Sequence, residues 1–205
     1  MSDWIELRAG PLGMFFDPEW AMLRRIRLGE REVLRCIYAP VRDAGWATVI
    51  PRVSNLAIEK GEDSFRLSFD VECRRGEIDF AWQGAIAGET DGSVSFTFKG
   101  VARSTFLRQR IGLCVLHPVK ECVGKTCFVE KPDGRVEECR FPSTISPHQP
   151  FHDVRALTWE VLPGLSAYVR CEGDVFETED QRNWTDGSFK TYCTPLALPR
   201  PVEIA

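Results

Sequence analysis

Between residues 48 and 102 apolar and polar positions alternate with a period of two. Phe65, Leu67, Phe69, Val71 and Cys73 interleave with Ser64, Arg66, Ser68, Asp70 and Glu72, which sends one set of side chains to a core and the other to water. Arg74-Arg75-Gly76-Glu77 breaks the run as a turn. Ile78, Phe80, Trp82, Gly84 and Ile86 make the next apolar row, and Asp91-Gly92 signals a hairpin ahead of Val94, Phe96 and Phe98. The pattern predicts an antiparallel meander of long strands, whose apolar face requires a second layer over it.

The flanking segments read the same way. Residues 4–41 divide into short strands at Ala9-Gly10-Pro11, at Asp17-Pro18 and at Gly29-Glu30-Arg31. A helix over residues 19–27 competes, because Trp20, Leu23 and Arg24 suit either period; the Gly-centred turn favours strands. Residues 111–116 are apolar on both sides and predict one central strand covered on both faces, ending at His117-Pro118. Hairpins are expected around Pro132-Asp133-Gly134 and Pro163-Gly164, with a proline-rich loop at 142–153 between them. The expected fold is all-β: an antiparallel two-layer β-sandwich over residues 1–194. Residues 195–205, with Pro195, Pro199 and Pro201, read as a stiff linker to further domains of a longer chain.

Composition narrows the partners. The net charge is −4 and the densest basic run, Arg24-Arg25-Ile26-Arg27, lies in an alternating segment, so no nucleic-acid partner is expected. No apolar run approaches the roughly 20 residues of a membrane helix, and MSDWIELRAG lacks the pattern of an export signal. Eight cysteines without a C-x-x-C pair argue against a zinc ribbon and for reduced thiols in a cytoplasm. His148 and His152 flank Pro150, which opposes the helix a metal pair at that spacing needs. With no phosphate-cradling glycine loop either, neither a metal nor a cofactor is expected.

The densest chemistry lies in residues 177–193, ETEDQRNWTDGSFKTYC, where the alternating sheet pattern is read as breaking off. Carboxylates, a guanidinium, amides and an indole within so few positions suit a sugar-like ligand: hydroxyls need paired donors and acceptors, and C–H faces stack on an aromatic ring. Glu179 and Asp180 are the candidate bases. Arg182 and Lys190 are placed to hold a carbonyl oxygen or a carboxylate, Gln181, Asn183 and Asp186 to bind hydroxyls, and Trp184 to stack. Upstream, His117 or His148 is the candidate acid and Arg110 a further substrate contact. The structural alternative pairs Arg182 with Asp180 or Asp186 as a plain ion pair and buries Trp184 in the core.

The segments ARSTFLRQRIGLCVLHP (102–118), FPSTISPHQPF (141–151) and GDVFETEDQRNWTDGSFKTYCTPLALPRP (173–201) resemble the N-terminal part of the D-apionate lactonase family. The resemblance runs from LRAGPL (7–12) to the end of the chain. It implies the β-rich first domain of a longer enzyme that opens a sugar lactone in apiose breakdown. The long antiparallel strands are also similar, as a fold, to the broad sandwich of galactose-mutarotase-type proteins. Two functions are thus in view: a lactone-opening hydrolase, and a non-catalytic β-domain that holds a carbohydrate or a catalytic partner domain. The first requires Glu179, Arg182 and His117 to converge on one cleft.

Overall fold

The computed structural model describes residues 4–194 and 200–205. Four strands open the chain: β1 (Ile5–Ala9), β2 (Leu12–Asp17), β3 (Met22–Leu28) and β4 (Arg31–Tyr38). In the ambiguous segment at 19–27, residues 22–27 are therefore strand and 19–21 belong to the turn before it. After the short β5 (Val41–Asp43) comes the predicted meander: β6 (Pro51–Lys60), β7 (Phe65–Arg75), β8 (Ile78–Gly88) and β9 (Val94–Ala102). Next are β10 (Phe106–Ile111), β11 (Cys114–Pro118) and one helical turn, α1 (Val119–Cys122). The chain then forms β12 (Thr126–Glu130), β13 (Val136–Arg140), β14 (Phe151–Val154), β15 (Ala156–Leu162) and β16 (Leu165–Arg170). Strands β17 (Phe176–Asp180) and β18 (Ser188–Cys193), joined by a 3-10 turn at Gln181–Trp184, and β19 (Val202–Ile204) complete it.

One layer is a single eight-stranded antiparallel sheet in the order β1-β2-β3-β4-β11-β18-β17-β14. Two four-stranded sheets, β6-β7-β8-β9 and β13-β12-β15-β16, cover one face of it side by side. The first packs on the N-terminal half, where Phe16 of β2 meets Phe69 of β7 at 5.2 Å between ring centroids and Phe69 meets Trp82 edge-on. The second packs on the other half, where Phe189 of β18 meets Phe141 at 5.0 Å. Each such buried ring is worth about 2–3 kcal/mol of transfer free energy. Gly84 holds an apolar position without a side chain because a Cβ there would run into the Phe69 ring. The expected two-layer sandwich is the fold of the chain.

Two local expectations change. The apolar run at 111–116 is not one strand. Gly112, at φ 125, turns the chain between β10 and β11, and a Cβ there would sit 2.6 Å from Cys193 Sγ. Only β11 enters the large sheet; β10 joins a three-stranded sheet, β19-β10-β5, beside it. Residues 177–193, read as a break in the pattern, form the β17–β18 hairpin inside the large sheet. The alternation was hidden because β18 is buried at every position and its faces carry polar groups paired with each other. Of the linker-like stretch, residues 195–199 lie outside the described residues. Val202–Ile204 pairs with β10, so that part is held on the domain.

Candidate active site

Register decides which side chains share a face. On the outer face of the large sheet, away from the covering layer, Glu179 pairs with Lys190, Lys190 with Leu116 and Leu116 with Cys36. The adjacent outer row is Glu177, Tyr192, Cys114 and Tyr38. The intervening positions point inward, and one inner row is Asp180, Phe189 and His117. Neighbours on a strand project to opposite sides, so Glu179 and Asp180 are parted by the sheet.

The expected convergence of Glu179, Arg182 and His117 is therefore not what the sheet builds. His117 is fully buried between Phe141 and Trp159, with Nε2 2.8 Å from Thr191 Oγ1. Burial holds its pKa down to about 3, so it is a neutral core histidine at ordinary pH. Arg182 also turns to the inner side, with its guanidinium 5.1 Å from the Phe189 ring. It donates to Asp180 through Nε at 2.9 Å and Nη2 at 2.7 Å, and to the carbonyls of Pro142, Ser143 and Thr144. Asp180 also accepts from the Ser146 N–H at 2.9 Å. Burial pushes the Asp180 carboxyl up, but the hydrogen bonds from Arg182 and Ser146 together hold it below the usual range. The structural alternative is thus the one realised for this pair: it caps the 3-10 turn and pins the 142–146 loop. Asn183 adds to the pin by donating to the Ser146 and Asp180 carbonyls.

A cavity opens on the outer face over the β17–β18 hairpin. It encloses about 480 Å³ and is lined by Arg42, Trp46, Arg110, the 146–149 loop, Glu179, Asp180, Gln181, Asn183, Trp184 and Tyr192. Its floor is an ion cluster. Arg110, 2% exposed, donates through Nη2 to Glu177 Oε1 at 3.0 Å and to Glu179 Oε1, and lies 4.4 Å over the Tyr192 ring. One guanidinium serves both carboxylates, and His152 Nδ1 stands 3.8 Å from the second oxygen of Glu177. The two carboxylates differ in access: the Glu177 side chain is 2% exposed and that of Glu179 17%. Burial raises the Glu179 pKa, Glu177 raises it further, and Arg110 opposes both. Its second oxygen accepts from Gln181 Nε2 at 2.7 Å, and Gln149 bonds the same carboxylate. Asp180 contributes to the wall, but its carboxylate is fully buried beneath Arg182.

Trp184 is 77% exposed at the rim rather than buried, and Trp46 is 44% exposed on the same cavity. Lys190 is the cross-strand neighbour of Glu179, but its ammonium is taken by Asp186, and neither lines the cavity. His148 sits in the wall, and its carbonyl accepts from Ser146 Oγ at 2.8 Å. Arg42, Trp46, Ser146, Gln149 and Tyr192 escaped the sequence reading. Tyr192 alone left a signal, two positions from Lys190 on the same strand. Among the described residues no group of three His, Cys, Asp or Glu side chains is arranged to hold a metal ion. None of the described helices is long and apolar enough to cross a membrane.

Residues 2–205 match the family described as D-apionate lactonase, N-terminal domain. The chain belongs to this family. It is 39% identical to the D-apionate lactonase of Brucella anthropi over 97% of its own length. It spans 32% of that relative, so in this family the domain forms the N-terminal part of a longer protein.

Proposed function

We propose that this lactonase-family domain supplies the substrate pocket of a sugar-lactone hydrolase, the reaction being the opening of D-apionolactone to D-apionate. The observation that carries the reading is Glu179: a carboxylate with a raised pKa, open to a cavity, set among amides below two exposed tryptophans. Raised basicity at a reachable oxygen is what general-base chemistry asks for. Glu179 takes a proton from a water molecule as its oxygen bonds to the lactone carbonyl carbon. The tetrahedral oxyanion collapses, the bond from that carbon to the ring oxygen breaks, and Glu179 returns the proton to the departing alkoxide. The product is a hydroxy acid, which ionises. His148 on the wall is the second candidate donor. Gln149 and Gln181 bond hydroxyls, and Trp46 and Trp184 offer stacking faces. The eight cysteines are all free thiols, which suits the reducing cytoplasm where we place the protein.

A second reading, a carbohydrate-holding domain whose chemistry is completed by the rest of a longer chain, draws on the 32% coverage of the relative. The two separate in a pH-stat assay of this chain with D-apionolactone, beside isothermal titration of D-apionate. Acid release above the spontaneous rate, falling about 100-fold or more in Glu179→Gln, supports the hydrolase. Saturable binding without acid release supports the holding domain. No binding of either compound overturns both.

A further inference from the structure

Among the described residues, no carboxylate forms an ion pair with Arg42, a cation of this pocket. It lies on β5, on the opposite flank from the 146–149 loop. Its Nη1 donates to the Trp46 carbonyl at 3.1 Å and its Nη2 reaches Tyr38 Oη at 3.5 Å. Burial works against its charge, while Tyr192, Tyr38 and Cys114 beside it favour the charged form. Two of its N–H donors are engaged by the protein, so the guanidinium fork keeps donors for something else. Arg110 differs in kind: Glu177, Glu179, the Cys193 carbonyl and the Tyr192 ring take up its faces.

The pocket is therefore polarised. Its floor carries two carboxylates around Arg110, and its β5 flank carries a guanidinium that pairs with no carboxylate among the described residues. A sugar acid has matching asymmetry, with an anionic end and a hydroxylated end. Its carboxylate is repelled from Glu179 and drawn to Arg42, whose planar fork fits two carboxylate oxygens. We propose that Arg42 is the carboxylate-recognition residue of the pocket. It grips the carboxylate of the open-chain acid and, before ring opening, the lactone carbonyl oxygen, with the reacting carbon lying between it and Glu179. This rests on the pocket being a sugar-lactone site, and within that reading it assigns the contact that separates the acid from a neutral sugar.

The test is isothermal titration of D-apionate and of D-apiose, a neutral sugar with the same branched skeleton, into the chain at low and high salt. Wild type is compared with Arg42→Gln and Arg42→Lys. Arg42→Gln is expected to weaken D-apionate about tenfold or more, to leave D-apiose within about twofold, and to abolish the weakening of acid binding by added salt. Arg42→Lys, which keeps the charge but loses the fork, is expected to fall between and covers the case in which the glutamine variant does not fold. Equal loss for both ligands, or no loss for the acid, overturns the assignment while leaving the lactone-site reading standing. A wild-type chain that binds neither compound overturns both.

Discussion

Strands β17 and β18 carry polar clusters on both faces, and the two clusters are built differently. On the inner face the polar groups serve the fold. Arg182 spends its donors on Asp180 and on three consecutive carbonyls, and His117 stays neutral among aromatic rings. On the outer face the groups keep capacity. Glu179 remains reachable beside a buried arginine, Arg42 retains donors, and two tryptophans stand exposed at the rim. Paired charge alone therefore does not mark a site. What separates the faces is whether the protein has already used the groups.

Substitutions on the two faces can sharpen this contrast or break it. The largest effect is expected from Arg110→Met, which strips the buried Glu177 and the partly buried Glu179 of their shared cation and costs about 3–5 kcal/mol in urea unfolding. Adding Glu177→Gln to that variant is expected to recover part of the loss. A cost below about 1 kcal/mol would mean that the floor is open to water.

Acid gives the next largest effect, on the inner face. Unfolded, the His117 imidazole takes up a proton near its ordinary pKa of 6.5; folded, only near 3. Between those values the unfolded state binds more protons. Stability is therefore complete above about pH 6.5 and falls as pH drops toward 3, by on the order of a few kcal/mol. Denaturation series across that window should show the slope in wild type and a flatter one in His117→Gln. Equal slopes would place the acid sensitivity elsewhere.

Arg182→Ala is expected to cost about 2–3 kcal/mol, because it removes charge-assisted bonds that hold the 142–146 loop; a thermal melt reads it. Trp184→Ala sits at the small end. Its stability should stay within about 0.5 kcal/mol of wild type, while affinity for a sugar acid falls a few-fold through lost stacking, about 1 kcal/mol. A large drop in melting temperature for Trp184→Ala would show that the ring packs more than it recognises, and would blur the two faces into one.

The sequence by itself determined the all-β class, the meander at 51–102 and most of the hairpins, since period-two alternation and Gly- or Pro-centred turns are local properties. It also pointed to the stretch that holds Glu179, Gln181 and Trp184. It could not say on which side of the sheet each polar residue would fall, because β18 is buried at every position and β17 at all but Glu179, which leaves no apolar stripe to set the phase. Nor could it find Arg42 and Trp46, nearly 140 residues before Glu179 in the chain. Only the pairing of β4 with β11 and of β5 with β10 carries them to the same cavity. The tertiary structure made both decisions: register assigns the face, and sheet order brings distant segments together, and neither is written in the spacing of residues along one strand.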